Sequence, residues 1–261
     1  MLSPSRGVMR QDITDLTAFY ATPMGRMAAT LIAQRLAAIW PRLDGRHVAG
    51  LGFAPPVLSQ LSDRAASRVA FMPAPQGACL WPDPGPNAVA LVDERALPLP
   101  DGAYDYVVLV HALEVSEDRD ALLREVWRIL NPGGRLAVVV PKRRGAWSSA
   151  ESTPFGHGQP FSTTQLNRLL GDHLLPVSRV MTTVFVPPVR HAQVWKTAWW
   201  AEGLGQRMIP QWGGILVAEA EKRFDLGRPK RARPIEIVQP SPVPAGAVQR
   251  RTPAQTERTP R

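Results

Sequence analysis

The chain reads as a doubly wound α/β protein built on a seven-stranded, mostly parallel sheet whose last strand is antiparallel, a Rossmann-like layout. Three observations lead there. Short apolar runs alternate with helix-length segments along residues 12–221, the pattern of strands separated by crossover helices. The run YDYVVLVHAL (104–113) is apolar on both faces, as a central parallel strand is. Residues 91–141 run strand, acidic turn, buried strand, amphipathic helix, Pro-Gly-Gly turn and buried strand, and Asp93 falls where the third strand ends. Ligands of such sheets bind outside the carboxyl ends of the strands.

Residues 12–21 and 24–40 are expected to be helical. Met27, Leu31, Leu36 and Ile39 form a stripe suited to packing on a sheet, and Pro41 ends it. RHVAGLGF (46–53) is a strand running into a turn, and Pro55-Pro56 open the helix PPVLSQLSDRAA. RVAFMP (68–73) is the second strand. APQGACLWPDPGPN is too rich in Pro and Gly for a helix, and AVALVDE (88–94) is the third strand. The helix DRDALLREVWRIL puts Leu122, Leu123, Val126, Trp127 and Leu130 on one side. Asn131-Pro132-Gly133-Gly134 stops it, and RLAVVVP returns to the sheet. STTQLNRLLGDHLL is a Ser/Thr-capped helix, SRVMTTVFVPP alternates like a strand, VWKTAWWAEGLGQRM is a helix with an aromatic face, and GGILVAEAEKR is the final strand.

Composition sets the limits. With 44% hydrophobic and 20% charged residues in 261, the chain can bury one good core and carry appendages. No apolar run is long enough to cross a bilayer, and the opening MLSPSRGVMRQDITDL lacks the apolar core of a secretory signal. Cys79 is the single cysteine, which excludes an internal disulfide framework or a cysteine-cluster metal site and suits a reducing cytoplasm. The domain expected is 1–221, with helices 12–40 as lid or cap. Residues 222–261 form a basic tail, with ten Lys/Arg against three acids and seven prolines. That is +7 of the net +9. A tail of this kind is expected to be disordered and to touch nucleic acid or anionic surfaces weakly through phosphates.

The segments LVDERALPLPDGAYDYVVLVHALE and EVWRILNPGGRLAVVV resemble the class I S-adenosylmethionine-dependent methyltransferases, most closely the type 11 branch. The resemblance spans roughly residues 15–221. It implies S-adenosylmethionine as cofactor and no metal. It places Asp93 on the adenine amino group, Glu94 beside the ring through its backbone N–H, and His111 with Ala112 along the methionine portion. Tyr20 resembles an element that lids the cofactor. The family's nucleotide loop has an acid followed by a Gly-x-Gly-x-Gly series. Here Gly50-Leu51-Gly52-Phe53-Ala54-Pro55-Pro56 keeps Gly52, places Gly50 where the acid belongs, and places Ala54 and Pro56 where the second and third glycines would be. The resemblance still assigns Gly50, Gly52 and Ala54 to cofactor binding, with Gly50 and Gly52 on the methionine portion. Ala54, preceding Pro55, is expected to be extended. The second strand ends Phe71-Met72-Pro73 without the acid that grips the ribose in that family.

Methyl transfer from a sulfonium needs in-line placement and sometimes a base. His111, at the end of a central strand, and His157, in TPFGHGQPFS, are the candidates; each could instead be an ordinary packed or loop histidine. Trp195, Trp199, Trp200 and Trp212 suit core or a hydrophobic lid. The chain has neither an Asp/Asn-Pro-Pro-aromatic run after the fourth strand nor a Pro-Cys nucleophile. The expected substrate is therefore a small or lipid-like acceptor rather than a nucleic-acid base. The altered loop 50–56 also supports an alternative: a methyltransferase-fold protein that binds or scaffolds a protein partner, or a second copy of itself.

Overall fold

The computed structural model describes residues 10–40, 42–61, 65–188 and 213–223. The aromatic helix expected at 194–208, with Trp195, Trp199, Trp200 and Trp212, lies outside the described residues, as does the tail beyond Arg223. The elements in order are α1 (Ile13–Ala21), α2 (Pro23–Ile39), β1 (His47–Gly52), α3 (Pro55–Leu58), β2 (Ser67–Pro73), β3 (Val89–Val92), β4 (Tyr104–Val110), α4 (Arg119–Ile129), β5 (Leu130–Pro141), α5 (Thr163–Asp172), β6 (Val177–Thr183) and β7 (Ile215–Glu221). Short 3₁₀ turns occupy Ala74–Gln76, Ala146–Ser149 and Pro154–Gly156.

The strands form one sheet in the order β3-β2-β1-β4-β5-β7-β6. β1 pairs in parallel with β2 and β4, β2 with β3, and β4 with β5, while β7 runs antiparallel between β5 and β6. Alternation along each strand divides the core between two faces. Val48, Val108, Val110, Ala137 and Val139 pack under α1, α2 and α3. Leu51, Val107, Leu109, Val138 and Val140 pack under α4 and α5. Burying a side chain such as Leu109 contributes roughly 1.5–3 kcal/mol, so the both-faced apolar run in β4 anchors the sheet.

Capping fixes where the helices begin. Asp12 accepts from the Thr14 N–H, Thr22 from the Gly25 N–H, and Asp118 from the Ala121 N–H. Ser162 and Gln165 form a reciprocal capping box at α5.

Three local expectations differ from the structure. The helix expected over 55–66 is a single turn, Pro55–Leu58. The Ser59 hydroxyl donates to the Pro55 carbonyl, the Gln60 amide to that of Pro56, and Arg68 to those of Leu58 and Leu61. These side chains satisfy the carbonyls that further helical turns would otherwise use. Ala54 is helical in conformation (φ −87°, ψ −17°) rather than extended. Its carbonyl accepts from the N–H groups of Val57 and Leu58, which offsets the bias set by the following proline. Asn131–Gly134, placed as a turn between helix and strand, is looped out of β5: Tyr104 pairs with Leu130 and Tyr106 with Arg135. No helix among the described residues is long and apolar enough to cross a membrane.

Candidate functional site

A narrow cleft, partly open to solvent, lies over the carboxyl ends of the strands. Arg10, Gln11 and Leu16 border it from the N-terminal segment, Gln76 from beyond β2, His111 and Val115 from beyond β4, and Pro154 and His157 from beyond β5. This is where the crossover topology opens a ligand crevice.

His111 is the first residue past β4 and is buried, with a positive φ of 50°. Non-glycine residues are uncommon there, and such backbone gathers at functional sites. Its Nε2 lies 2.8 Å from the Tyr20 hydroxyl, and its Nδ1 lies 3.3 Å from Glu114 Oε1. Glu114 is fully buried, and neither carboxylate oxygen has a hydrogen-bond partner. Burial, reinforced by the Glu114 charge, pushes the Tyr20 phenol upward. A phenol held neutral is a donor. The pattern that leaves no buried donor idle therefore has Tyr20 donating to Nε2 and Nδ1–H facing Glu114.

Aromatic rings close around the imidazole. Tyr20 packs on Phe19 and Phe53, with centroids 5.0 and 5.5 Å away, and Phe155 lies 4.5 Å from His111. Trp147 joins Phe155 to Phe19, and its indole N–H donates to the Val186 carbonyl at 2.8 Å. Helix α1 thus brings Tyr20 to the end of β4.

Of the loop residues, Gly52 has a φ of +84°, and a Cβ there would collide with the Val110 carbonyl oxygen and come within 2.8 Å of that of His111. Only glycine fits while the Phe53 N–H donates to Val110 at 2.7 Å. Gly50 is different. A Cβ on it would meet Ala54 Cβ and, at 2.8 Å, Leu58 Cδ1, so the underside of α3 fills the space above it.

Asp93 and Glu94 point opposite ways. Asp93 is exposed, accepts from the backbone N–H and guanidinium of Arg95, and is held below the usual carboxylate range by those bonds. Glu94 is buried. It accepts two bonds from Arg10, at 2.8 and 2.7 Å, and one from the Ser116 hydroxyl at 2.7 Å. Arg10 thereby ties the segment before α1 across the sheet. His157 borders the cleft, with its Nε2 2.9 Å from the Glu151 carbonyl. Cys79 is half-buried, and burial pushes its thiol up, which suits an inert role.

The structure thus brings Tyr20 and His111 into contact and places His157 and Glu94 nearby, while the Asp93 carboxylate turns to Arg95. Sequence reasoning missed Arg10, Gln11, Gln76 and Glu114. Glu114 sits three residues from His111, a spacing that could have marked it. Gln76 had no local signal, because its place depends on where the loop after β2 folds. Among the described residues no cluster of three His, Cys, Asp or Glu is placed to hold a metal ion.

A seven-stranded sheet in this order, with the antiparallel β7 inserted between β5 and β6 and a cleft over the strand ends, defines the class I methyltransferase fold. Residues 35–138 match the methyltransferase domain model of the type 11 family. A demethylmenaquinone methyltransferase of Thermus thermophilus is 33% identical over 125 residues, covering 46% of this chain and 49% of that protein. The UbiE ubiquinone/menaquinone biosynthesis C-methyltransferase of Pseudoalteromonas translucida is 42% identical over 48 residues, covering 18% of this chain and 19% of that one. The chain thus spans half or less of the length of these relatives. Two solved structures share the fold. A SAM-dependent methyltransferase of Thermotoga maritima has a TM-score of 0.56 at 18% identity, over 81% of this chain and 96% of that one. A chain in the complex of the Haloferax volcanii Trm112 methyltransferase activator with a methyltransferase has a TM-score of 0.57 at 18% identity, over 81% and 98%.

Proposed function

We propose that this protein is an S-adenosylmethionine-dependent methyltransferase that transfers a methyl group to a small, lipid-like acceptor of phenol or quinol type. The observation that carries the proposal is His111, buried at the end of β4 on the rim of the cleft and fixed between Tyr20 and Glu114. The relatives named for quinone C-methylation favour this acceptor class over others.

The residues fit such a cofactor by a route other than the family's loop. Helix α3 is one turn long and opens on two prolines, so it offers little backbone N–H for a carboxylate. Orphaned buried atoms are present instead: Arg10 Nη1, Gln11 Oε1 and Gln76 Oε1, on side chains bordering the cleft. They supply donors and acceptors to a polar ligand.

The bound cofactor supplies an electrophilic methyl on sulfur. The residues do the rest. Tyr20, Phe53 and Phe155 keep water from His111, and Glu114 orients the imidazole through Nδ1. With Tyr20 displaced, Nε2 would accept a phenolic proton from the acceptor and raise electron density on the ring carbon. That carbon would take the methyl as the methyl's bond to sulfur breaks and the thioether leaves. It would then lose its own hydrogen as a proton, while the phenolic oxygen regains one from the imidazolium. Glu114 faces the imidazolium while it holds that proton. A cytoplasmic setting suits the lone Cys79.

The direct test supplies labelled S-adenosylmethionine with a reduced demethylquinone. Label should enter the quinol with the wild-type chain and be lost with His111→Ala. No transfer to any phenolic or quinol acceptor would refute the activity. A second reading has its own observation: Ala54 and Leu58 fill the space over Gly50, and Arg10–Glu94 straps the cleft. Under it the domain is a methyltransferase-fold scaffold for a protein partner. A stable hetero-complex from a chain that binds no cofactor would favour it.

A further inference from the structure

Three polar side chains on the cleft carry buried atoms with nothing to bond. Gln76 is 1% exposed; its amide nitrogen lies 3.4 Å from the Gly52 carbonyl, and its Oε1 has no partner. Gln11 Oε1 has none either. Arg10 commits Nη2 to both oxygens of Glu94 and leaves Nη1 buried and unpaired. A buried polar atom without a partner destabilises the fold, and three such atoms gather on this one cleft. Two are acceptors and one is a donor. A ligand that satisfies them presents two donors and an acceptor, and a vicinal diol meets that requirement because each hydroxyl donates and accepts.

Topology says which diol. In the order β3-β2-β1-β4, the segment after β3 lies at one end of the crevice and His111 after β4 at the other. Gln76 follows β2 and reaches the end of β1 through Gly52, so it stands between them. A nucleoside cofactor with its base toward β3 and its sulfonium toward His111 lays its ribose over Gln76.

We propose that Gln76 and Gln11, through their amide oxygens, accept hydrogen bonds from the ribose 2′- and 3′-hydroxyls, and that Arg10 Nη1 donates to one of the same oxygens. The grip replaces the carboxylate missing at the end of β2, where Pro73 closes the strand. It rests on the cofactor reading above. The three atoms are sealed from solvent, so the segment carrying Arg10 and Gln11 shifts to admit the ligand and closes over it.

Calorimetric titration of the full chain with S-adenosylhomocysteine, adenosine and 2′,3′-dideoxyadenosine tests this. The wild-type chain binds adenosine roughly five- to ten-fold more tightly than the dideoxy compound. Gln76→Ala and Gln11→Ala each weaken adenosine by several-fold, leave the dideoxy compound unchanged, and so reduce the preference. Gln76→Glu, which keeps an acceptor, retains it. The two alanine variants lie on different segments, so a folding defect in one leaves the other as the test. Equal weakening of both nucleosides, or no wild-type preference for the diol, overturns the proposal while leaving cofactor binding intact. No binding of S-adenosylhomocysteine overturns the cofactor reading itself.

Discussion

Replacing Tyr20 by Phe tests the Tyr20–His111 contact with a single atom. The phenyl ring keeps its packing on Phe19 and Phe53, and only the hydroxyl 2.8 Å from His111 Nε2 is lost. Tyr20 is 7% and His111 3% exposed, so water cannot readily replace the missing donor. An unpaired buried nitrogen costs about 1–3 kcal/mol. For a folded body of 150–250 residues each kcal/mol moves Tm by about 2–4 °C, so calorimetry should show a fall of roughly 2–12 °C. The ¹⁵N resonances of the His111 ring should move as well, because Tyr20 fixes which nitrogen carries the proton. A Tm within about 1 °C of wild type, with unmoved ring resonances, would refute the contact and the tautomer deduced from it.

Gly52→Ala should lower Tm by more than about 10 °C or prevent soluble expression, because the added methyl enters the carbonyl oxygens of Val110 and His111 at a φ of +84°; a change under 2 °C would sink the steric argument. Glu114→Gln keeps a group of the same size facing Nδ1 and should leave the far-ultraviolet circular dichroism unchanged while reducing turnover roughly ten-fold or more. Full turnover would remove Glu114 from the proton path. Glu125 is held below its ordinary value of 4.5 by Arg128 and by the Leu97 N–H. A depressed carboxyl stabilises the fold above its unfolded value and loses that contribution as pH falls through the folded value. Glu125→Gln should therefore be less stable than wild type at pH 7, with a deficit that shrinks as pH falls below 4.5, by urea titration across that range; a deficit constant with pH would contradict this.

Much of the fold was legible because burial writes itself into sequence period. The two-faced apolar run of β4, the stripe of α2 and the capping residues of α4 and α5 each carry their own signal. Helix α3 did not, because its length is set by side chains of Ser59, Gln60 and Arg68 that take up its carbonyls, one of them from β2. The site was legible only where a strand end projects into the crevice. His111 follows from the position of β4, and Tyr20 from the helix that reaches it. The sequence put the Asp93 carboxylate on the ligand and Glu94 beside it through its backbone, but which carboxylate turns inward is decided by Arg95 holding Asp93 outside and Arg10 holding Glu94 inside. Gln76 and Gln11 meet only through the fold of two loops far apart in the chain.

The activity depends on cofactor occupying the cleft between Gln76 and His111. Native mass spectrometry of the full chain titrated with S-adenosylmethionine measures that occupancy most directly. One adduct of cofactor mass per chain, weakened by Gln76→Ala, is the result predicted. A folded wild-type chain that acquires no adduct at millimolar cofactor would contradict it.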